Sequence, residues 1–78
     1  MSSLRIRVDF NTMAMHPERK VFIPPQSDEA ILSSLEPGMV VVLFEEGLEV
    51  DAVVEWDDDD GHWWGSPIPD RYRYPPVT

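Results

Sequence analysis

Apolar and polar residues alternate along much of the chain, and a period of two is typical of strands with one buried face. The first such stretch covers residues 4–10, with apolar side chains at Leu4, Ile6, Val8 and Phe10. Residues 19–23 predict a second short strand, because Pro24 and Pro25 end the run. A wide loop over residues 12–18 would join these two strands as a meander.

The clearest strand signals lie between residues 39 and 64. Residues 39–44 form the longest apolar run, whose length suits a buried strand. A tight turn with Gly47 follows, and residues 48–56 then alternate, which predicts one core face and one acidic face. The core face has Leu48, Val50, Ala52, Val54 and Trp56, and the opposite face has Glu49, Asp51, Val53 and Glu55.

Residues 27–35 predict a single short helical turn. Ser27 suits an N-cap, and Asp28 and Glu29 lie where the helix dipole favours negative charge. The spacing of the apolar residues predicts one face packed over a barrel opening. These residues are Ile31, Leu32 and Leu35.

An acidic turn and a final strand follow the alternating segment. Residues 57–62 have the composition of an exposed turn, and residues 63–66 predict a last main strand that Pro67 and Pro69 end. Because adjacent strand residues point to opposite faces, Trp63 and Trp64 cannot both be buried by one face. We therefore expect one ring inside the barrel and one outside.

Five short strands, tight turns and no long helix predict an all-β fold. A length of 78 residues fits one small domain over residues 1–78, with a Pro-rich C-terminal tail from about residue 67. The closed form that suits such a chain is a small five-stranded barrel, with at most one helical turn near residues 27–35.

Residues 59–65, with the sequence DDGHWWG, and the later pair Tyr74-Pro75 resemble the second half of Src homology 3 (SH3) domains. Those domains carry an acidic loop, a Trp pair, a Gly and an aromatic-Pro motif. Residues 35–38 also resemble the entry into their second strand, so the resemblance covers about residues 35–75. It implies an SH3-like barrel in which Trp63 and Pro75 match groove residues. The chain lacks the family's N-terminal alanine-leucine-tyrosine-aspartate-tyrosine type motif and its last ligand-contacting Tyr.

Charge is distributed unevenly along the chain, whose formal net charge is −9. From residue 21 to residue 70 there are many carboxylates and no Lys or Arg. Direct binding to nucleic acid or to an anionic membrane through this segment is disfavoured, because both carry negative charge. The expected partner is a basic protein surface or groove.

The chain has no Cys, which excludes disulfides and thiolate metal sites and makes a cytoplasmic location the default expectation. Residues 1–12 alternate in polarity, so neither a secretory signal nor a membrane span is expected there. The cluster at residues 57–62 has poor spacing for an EF-hand, since Trp56 would stand first and Pro67 twelfth. We therefore predict no metal site and no cofactor.

No pattern of a catalytic site is present, and we predict that the protein is not an enzyme. His16 and His62 are the only imidazoles available as bases, and neither has a partner pattern for activating a hydroxyl. The abundant carboxylates are expected on the surface, where nothing separates their pKa values into acid and base roles.

The candidate partner-binding residues are therefore the acids of the second long strand and turn, together with the Trp pair. They are Glu49, Asp51, Glu55, Asp57, Asp58, Asp59, Asp60, Trp63 and Trp64. A row of carboxylates attracts a basic cleft at long range, and a Trp supplies a large contact area. The same row is also explained as a solvated face that keeps the protein soluble and protects the sheet.

Three functions agree with this surface. The first is a non-catalytic acidic module that binds a basic protein. The alternative is a nucleic-acid mimic that inhibits a DNA- or RNA-processing or defence complex, and the third is a structural accessory subunit. The C-terminal tail with Arg71 and Arg73 has two possible placements. It either folds back, so that the two Arg offset the charge of the acidic sheet, or it docks on another chain.

Overall fold

The computed structural model describes residues 4–14, 19–24 and 29–75. In this part of the chain there are five strands and two short helices. They are β1 Arg5–Arg7, α1 Asn11–Ala14, β2 Val21–Phe22, α2 Glu29–Ser34, β3 Val40–Glu45, β4 Leu48–Asp57 and β5 His62–Arg73. The strands form one curled sheet, so the prediction of an all-β fold is confirmed. The sheet is a half-barrel whose form is compatible with the predicted SH3-like barrel.

The sheet order is β1-β3-β4-β5-β2. The long strands β3, β4 and β5 pair antiparallel in sequence order, and Gly47, with a φ of 80°, makes the tight turn between β3 and β4. β1 instead pairs parallel with β3. The meander predicted for the first two strands is wrong, because β1 and β2 lie at opposite edges of the sheet.

Helix α2 confirms the predicted helical turn, although the proposed cap Ser27 and its neighbour Asp28 lie outside the described residues. Helix α1 begins at Asn11, one residue before the segment predicted to be a loop, and its remaining residues lie in that segment. A local cap explains its start, since the Asp9 carboxylate accepts the Asn11 N–H at 2.9 Å.

The core lies on the concave face of the sheet and consists of aliphatic side chains from β1 to β4 and from the residues that directly follow β1 and β2, closed by Leu35 and Phe10. Its buried members are Ile6, Val8, Phe10, Val21, Ile23, Leu35, Val41, Leu43, Val50, Ala52 and Val54. The alternation predicts the buried positions Ile6, Val8 and Phe10 correctly. In β4 it does the same for Val50, Ala52 and Val54. The α2 residues Ile31 and Leu32 pack against this cluster from outside the sheet.

Trp56 departs from the predicted core face. Its side chain is 44% exposed, whereas Val54, two residues earlier on the same face, is fully buried. The core ends between these residues, because the strand continues beyond the aliphatic cluster towards the acidic turn. The placement of Trp56 in the core is therefore wrong.

Strand β5 also differs from its prediction, since it continues through Pro67 and Pro69 to Arg73. Pro67 lies opposite Ala52 and Tyr72 lies opposite Val50, so residues 68–71 bulge opposite Asp51 alone. A bulge tolerates Pro and an irregular register within a strand. Strand β5 consequently reaches the start of β4 and places Arg73 beside Glu49.

Candidate functional site

The acids of the convex sheet face are paired with cations from elsewhere in the chain. Arg5 Nη2 lies 2.8 Å from Glu49 Oε2, and Arg73 Nε lies 3.1 Å from Glu49 Oε1. Arg73 also donates from Nη2 to Asp51 Oδ1 at 2.9 Å. The predicted fold-back of the C-terminal segment is confirmed for Arg73.

These contacts favour the charged forms of the groups. Hydrogen bonds from Arg5 and then from Arg73 hold the pKa of Glu49 below its ordinary value. The hydrogen bond from Arg73 likewise lowers the pKa of Asp51, and the charge of Arg71 adds to the effect. The pKa of Arg73 is raised, first by its bond to Asp51 and then by its bond to Glu49.

Glu55, the third acid of the predicted row, has a cation of its own. Lys20, which precedes β2, forms an ion pair with Glu55 Oε1. Although no Lys or Arg lies near Glu49, Asp51 or Glu55 in the sequence, the fold supplies each with a counter-charge. The predicted row is thus largely compensated within the molecule.

Asp57 organises the turn between β4 and β5. Its Oδ1 accepts the N–H groups of Asp59 at 2.9 Å and Asp60 at 3.2 Å, and its Oδ2 accepts the indole N–H of Trp64 at 3.2 Å. The backbone bond from Asp60 contributes most to lowering the pKa of Asp57, followed by the bond from Asp59. Asp57 is therefore engaged in shaping the turn.

Asp58, Asp59 and Asp60 form the tip of this turn, and all three are exposed. Their carboxylates form no ion pair with any residue in the described ranges. Gly61 closes the turn with a φ of 71°, a left-handed conformation that suits Gly. Of the predicted acidic residues other than Asp57, these three are the ones whose carboxylates have no counter-charge among the described residues.

The Trp pair splits between the two sheet faces, as predicted from strand alternation. Trp63 packs against the core, whereas Trp64 lies on the opposite face with Phe22 and His62. Ring centroids are 5.8 Å apart for Phe22 and Trp64 and 4.8 Å apart for His62 and Trp64. Both Trp side chains are half-buried, so neither is a fully exposed Trp of the kind expected for a partner-binding anchor.

The most exposed Trp is Trp56, which sequence reasoning missed. Its ring meets that of Trp63 edge to face, with centroids 5.4 Å apart and planes at 68°. Its position in the sequence is the one indication of this exposure, because Trp56 is the last apolar residue before four consecutive Asp.

A cleft of about 230 Å³ opens beside this ring pair. It lies between the end of the sheet and helix α2, and its walls are mostly apolar. The lining residues are Ile23, Leu32, Trp56, Gly61, His62 and Trp63. Since Gly61 belongs both to the cleft and to the acidic turn, the two features adjoin. We call Trp56, Trp63 and Asp58–Asp60 the acidic-aromatic end.

His62 has an unusual environment next to this end. Its ring lies 4.6 Å from that of Phe22, centroid to centroid, in an edge-to-face contact. Its Nε2 atom is buried and has no hydrogen-bond partner among the residues that the structure describes. The imidazole thus acts as an aromatic packing unit between Phe22 and Trp64.

No group of three or more His, Asp or Glu in the described part of the chain is arranged to hold a metal ion. Among the same residues, no helix has the length and apolar character needed to cross a membrane.

No family model, no curated protein and no solved structure matches this chain. The acidic-aromatic end and the ion pairs of the sheet are accordingly the observations on which a function is inferred.

Proposed function

We propose that the protein is a non-catalytic interaction module that binds a basic segment of a protein partner at its acidic-aromatic end. One observation carries this proposal: three exposed carboxylates that form no ion pair with a described residue adjoin an exposed Trp at an open apolar cleft. A basic segment matches the charge of the turn, and the Trp ring supplies contact area beside it.

Electrostatics support the choice of a basic partner. The net charge of −9 attracts a cationic chain at long range, and the field is strongest where no internal cation offsets it. Asp58–Asp60 meet this condition, whereas Glu49, Asp51 and Glu55 already have Arg5, Arg73 and Lys20. A partner binding at the row would have to displace these cations.

The aromatic residues support the same location. Interfaces are centred on a few buried anchors, and Trp is enriched among them because it offers much area with few rotamers to order. Trp56 is held by its contact with Trp63, which itself packs against the core. The ring is therefore exposed yet positioned before a partner arrives.

Capture from an extract of the native host, followed by binding measurements on the purified partner, tests the charge requirement. The variant Asp58→Asn, Asp59→Asn and Asp60→Asn should weaken binding at least tenfold. The matched control neutralises three other exposed acids by Glu36→Gln, Glu46→Gln and Asp70→Asn, which removes the same charge elsewhere. Equal loss in both variants would show dependence on net charge alone and would contradict this site.

A second pair of variants tests the aromatic contribution. Trp56→Ala should weaken partner binding by at least tenfold while leaving a dispersed amide NMR spectrum typical of the folded protein. Tyr74→Ala is the control, because Tyr74 is 76% exposed and is also aromatic. If Trp56→Ala binds like the parent protein, the acidic-aromatic end is not the interface.

Competition with duplex DNA or RNA distinguishes the nucleic-acid mimic from the proposed module. A mimic displaces the duplex from the captured partner, and it loses this ability when Glu49, Asp51 and Glu55 are changed to amides. Binding that survives both these changes and the Trp56 variant would point instead to an accessory subunit with another interface.

A further inference from the structure

We infer that the cleft beside Trp56 and Trp63 binds one aliphatic side chain of the basic segment, such as leucine or isoleucine. This inference rests on the proposed function, and it specifies the partner: an aliphatic anchor with basic residues next to it. The cleft takes the anchor, and the turn at Asp58–Asp60 takes the basic residues.

The chemistry of the cleft walls favours an aliphatic occupant over a cationic one. Ile23, Leu32, Trp56 and Trp63 form most of the described surface, and none of the lining residues that the structure describes carries a carboxylate. A Lys or Arg head group placed inside would lose water without gaining a hydrogen-bonded counter-charge, which is unfavourable. An aliphatic side chain loses only its contact with water, and that loss is favourable.

The cleft is smaller than a typical small-molecule site and has room for a branched side chain. Its volume of about 230 Å³ is below the roughly 300–1,000 Å³ typical of sites for small-molecule ligands. Two of its walls are the Trp56 and Trp63 rings, which stand at 68° to each other. One branched side chain can contact both ring surfaces, whereas a larger ligand would extend into solvent.

The turn fixes where the basic residues must lie. Asp58 follows Trp56 after one residue, and Gly61 lines the cleft, so the carboxylates of the tip begin at its rim. An extended peptide advances about 3.3 Å per residue. Basic residues within one or two positions of the anchor therefore reach the acidic tip.

A series of three peptides on the intact protein tests the inference. The probes are acetyl-Lys-Lys-Leu-Lys-Lys-amide and the same peptide with Gly or Lys at its centre. We expect the leucine peptide to bind about tenfold tighter than the other two, a difference of about 1.4 kcal/mol. In NMR titrations the indole N–H signals of Trp56 and Trp63 should shift. The signal of Trp64, whose N–H is bonded to Asp57 on the other face, should move least.

The outcomes separate this inference from the proposed function. Equal affinity for the three peptides, with loss in the Asp58–Asp60 amide variant, overturns the aliphatic anchor and leaves the basic-segment module standing. Tighter binding of the central-Lys peptide also overturns the anchor. Absence of binding by all three peptides contradicts both.

Two variants test whether the preference for the leucine peptide arises at this cleft. Trp56→Ala removes one wall of the cleft and should abolish the advantage of leucine over glycine while keeping the weaker, charge-dependent binding. Tyr74→Ala should preserve the full advantage. If the leucine preference persists in Trp56→Ala, the anchor binds elsewhere and the assignment of this cleft is wrong.

Discussion

Arg73 and Glu49 lie on neighbouring strands in direct register, with Arg73 Nε donating to Glu49 Oε1 at 3.1 Å. Arg5 of β1 donates to the other oxygen of the same carboxylate at 2.8 Å, while its guanidinium lies over the Phe44 ring. A single carboxylate at the start of β4 therefore links the first and last strands of the chain across the convex face.

We expect Glu49→Gln to lower the thermal unfolding midpoint more than Glu46→Gln, because Glu49 serves two Arg residues. Glu46 is an exposed acid of the β3–β4 turn and makes no ion pair with a described residue. The difference should shrink in 1 M NaCl, where the screening length falls to about 3 Å. Equal midpoints for the two variants at low salt would show that the double ion pair does not stabilise the fold.

Stability should also depend on pH through the acids that the fold stabilises in their charged form. The pKa values of Glu49, Asp51 and Asp57 are lowered from ordinary values of 4.5, 3.8 and 3.8. Because the folded-state values are depressed, the contribution of these groups is fully present above the ordinary values. It is lost as the pH falls through the folded-state values.

Urea midpoints measured between pH 7 and pH 2.5 test this dependence. Since protonation of the unpaired acids also relieves repulsion, the informative quantity is the difference between the parent protein and Glu49→Gln. That difference should be constant above about pH 5 and should shrink at lower pH. A difference that grows on acidification would have the wrong sign and would contradict the pKa assignment.

The strand pattern could be predicted from sequence because burial in a sheet repeats every second residue. This regularity identified the core of β1 and β4 down to single positions such as Ile6 and Val54. It could not show where the core ends, which is why Trp56 was assigned to the interior. The limit of the core depends on how far the neighbouring strands and α2 extend.

Pairing between distant segments could not be read from local pattern. The parallel contact of β1 with β3 and the ion pairs of Arg5, Arg73 and Lys20 all join residues far apart in sequence. The acidic row consequently looks uncompensated in the sequence, and only the fold shows that Glu49, Asp51 and Glu55 have counter-charges. The placement of Trp63 and Trp64 on opposite faces of the sheet could be predicted, because neighbouring residues of a strand always point to opposite faces.

Gly65 occupies a position in β5 where a side chain has no room. A Cβ atom there would lie 2.7 Å from Cδ1 of Leu43, which is fully buried. We expect Gly65→Ala to reduce the free energy of unfolding by about 1–3 kcal/mol through overpacking. Urea denaturation with an unchanged m-value would measure this loss.

A double-mutant cycle with Leu43→Val checks the cause of the effect. Valine removes the δ-methyl group that meets the new Cβ, so the double variant should be more stable than the sum of the single effects indicates. Strict additivity would show that the Gly65→Ala loss does not arise from the Leu43 contact.

Thr12 protects the β2 edge of the sheet. Its hydroxyl donates to the Asp9 carbonyl at 2.9 Å and accepts the Phe22 N–H at 3.1 Å. Thr12→Val leaves that partly buried N–H without a partner, which should cost about 1–3 kcal/mol. It should also increase self-association at high protein concentration, because an uncapped edge can pair with another strand.

Thr12→Ser is the matched control, since it keeps the hydroxyl and should retain most of the stability. Urea denaturation and light scattering measure the two effects. If Thr12→Val and Thr12→Ser have the same midpoint and the same apparent mass, the hydroxyl does not cap the edge.

Strand β5 extends beyond its two residue pairs with β2, and Pro67 follows the last of these pairs by two residues. The backbone groups of Trp63 and Gly65 face β2, because the Trp63 carbonyl accepts the Ile23 N–H and Gly65 pairs with Val21. Alternation turns Pro67 towards the same side, and proline has no N–H to offer an incoming strand. Pro67 thereby disfavours the addition of a further strand at this position of β5.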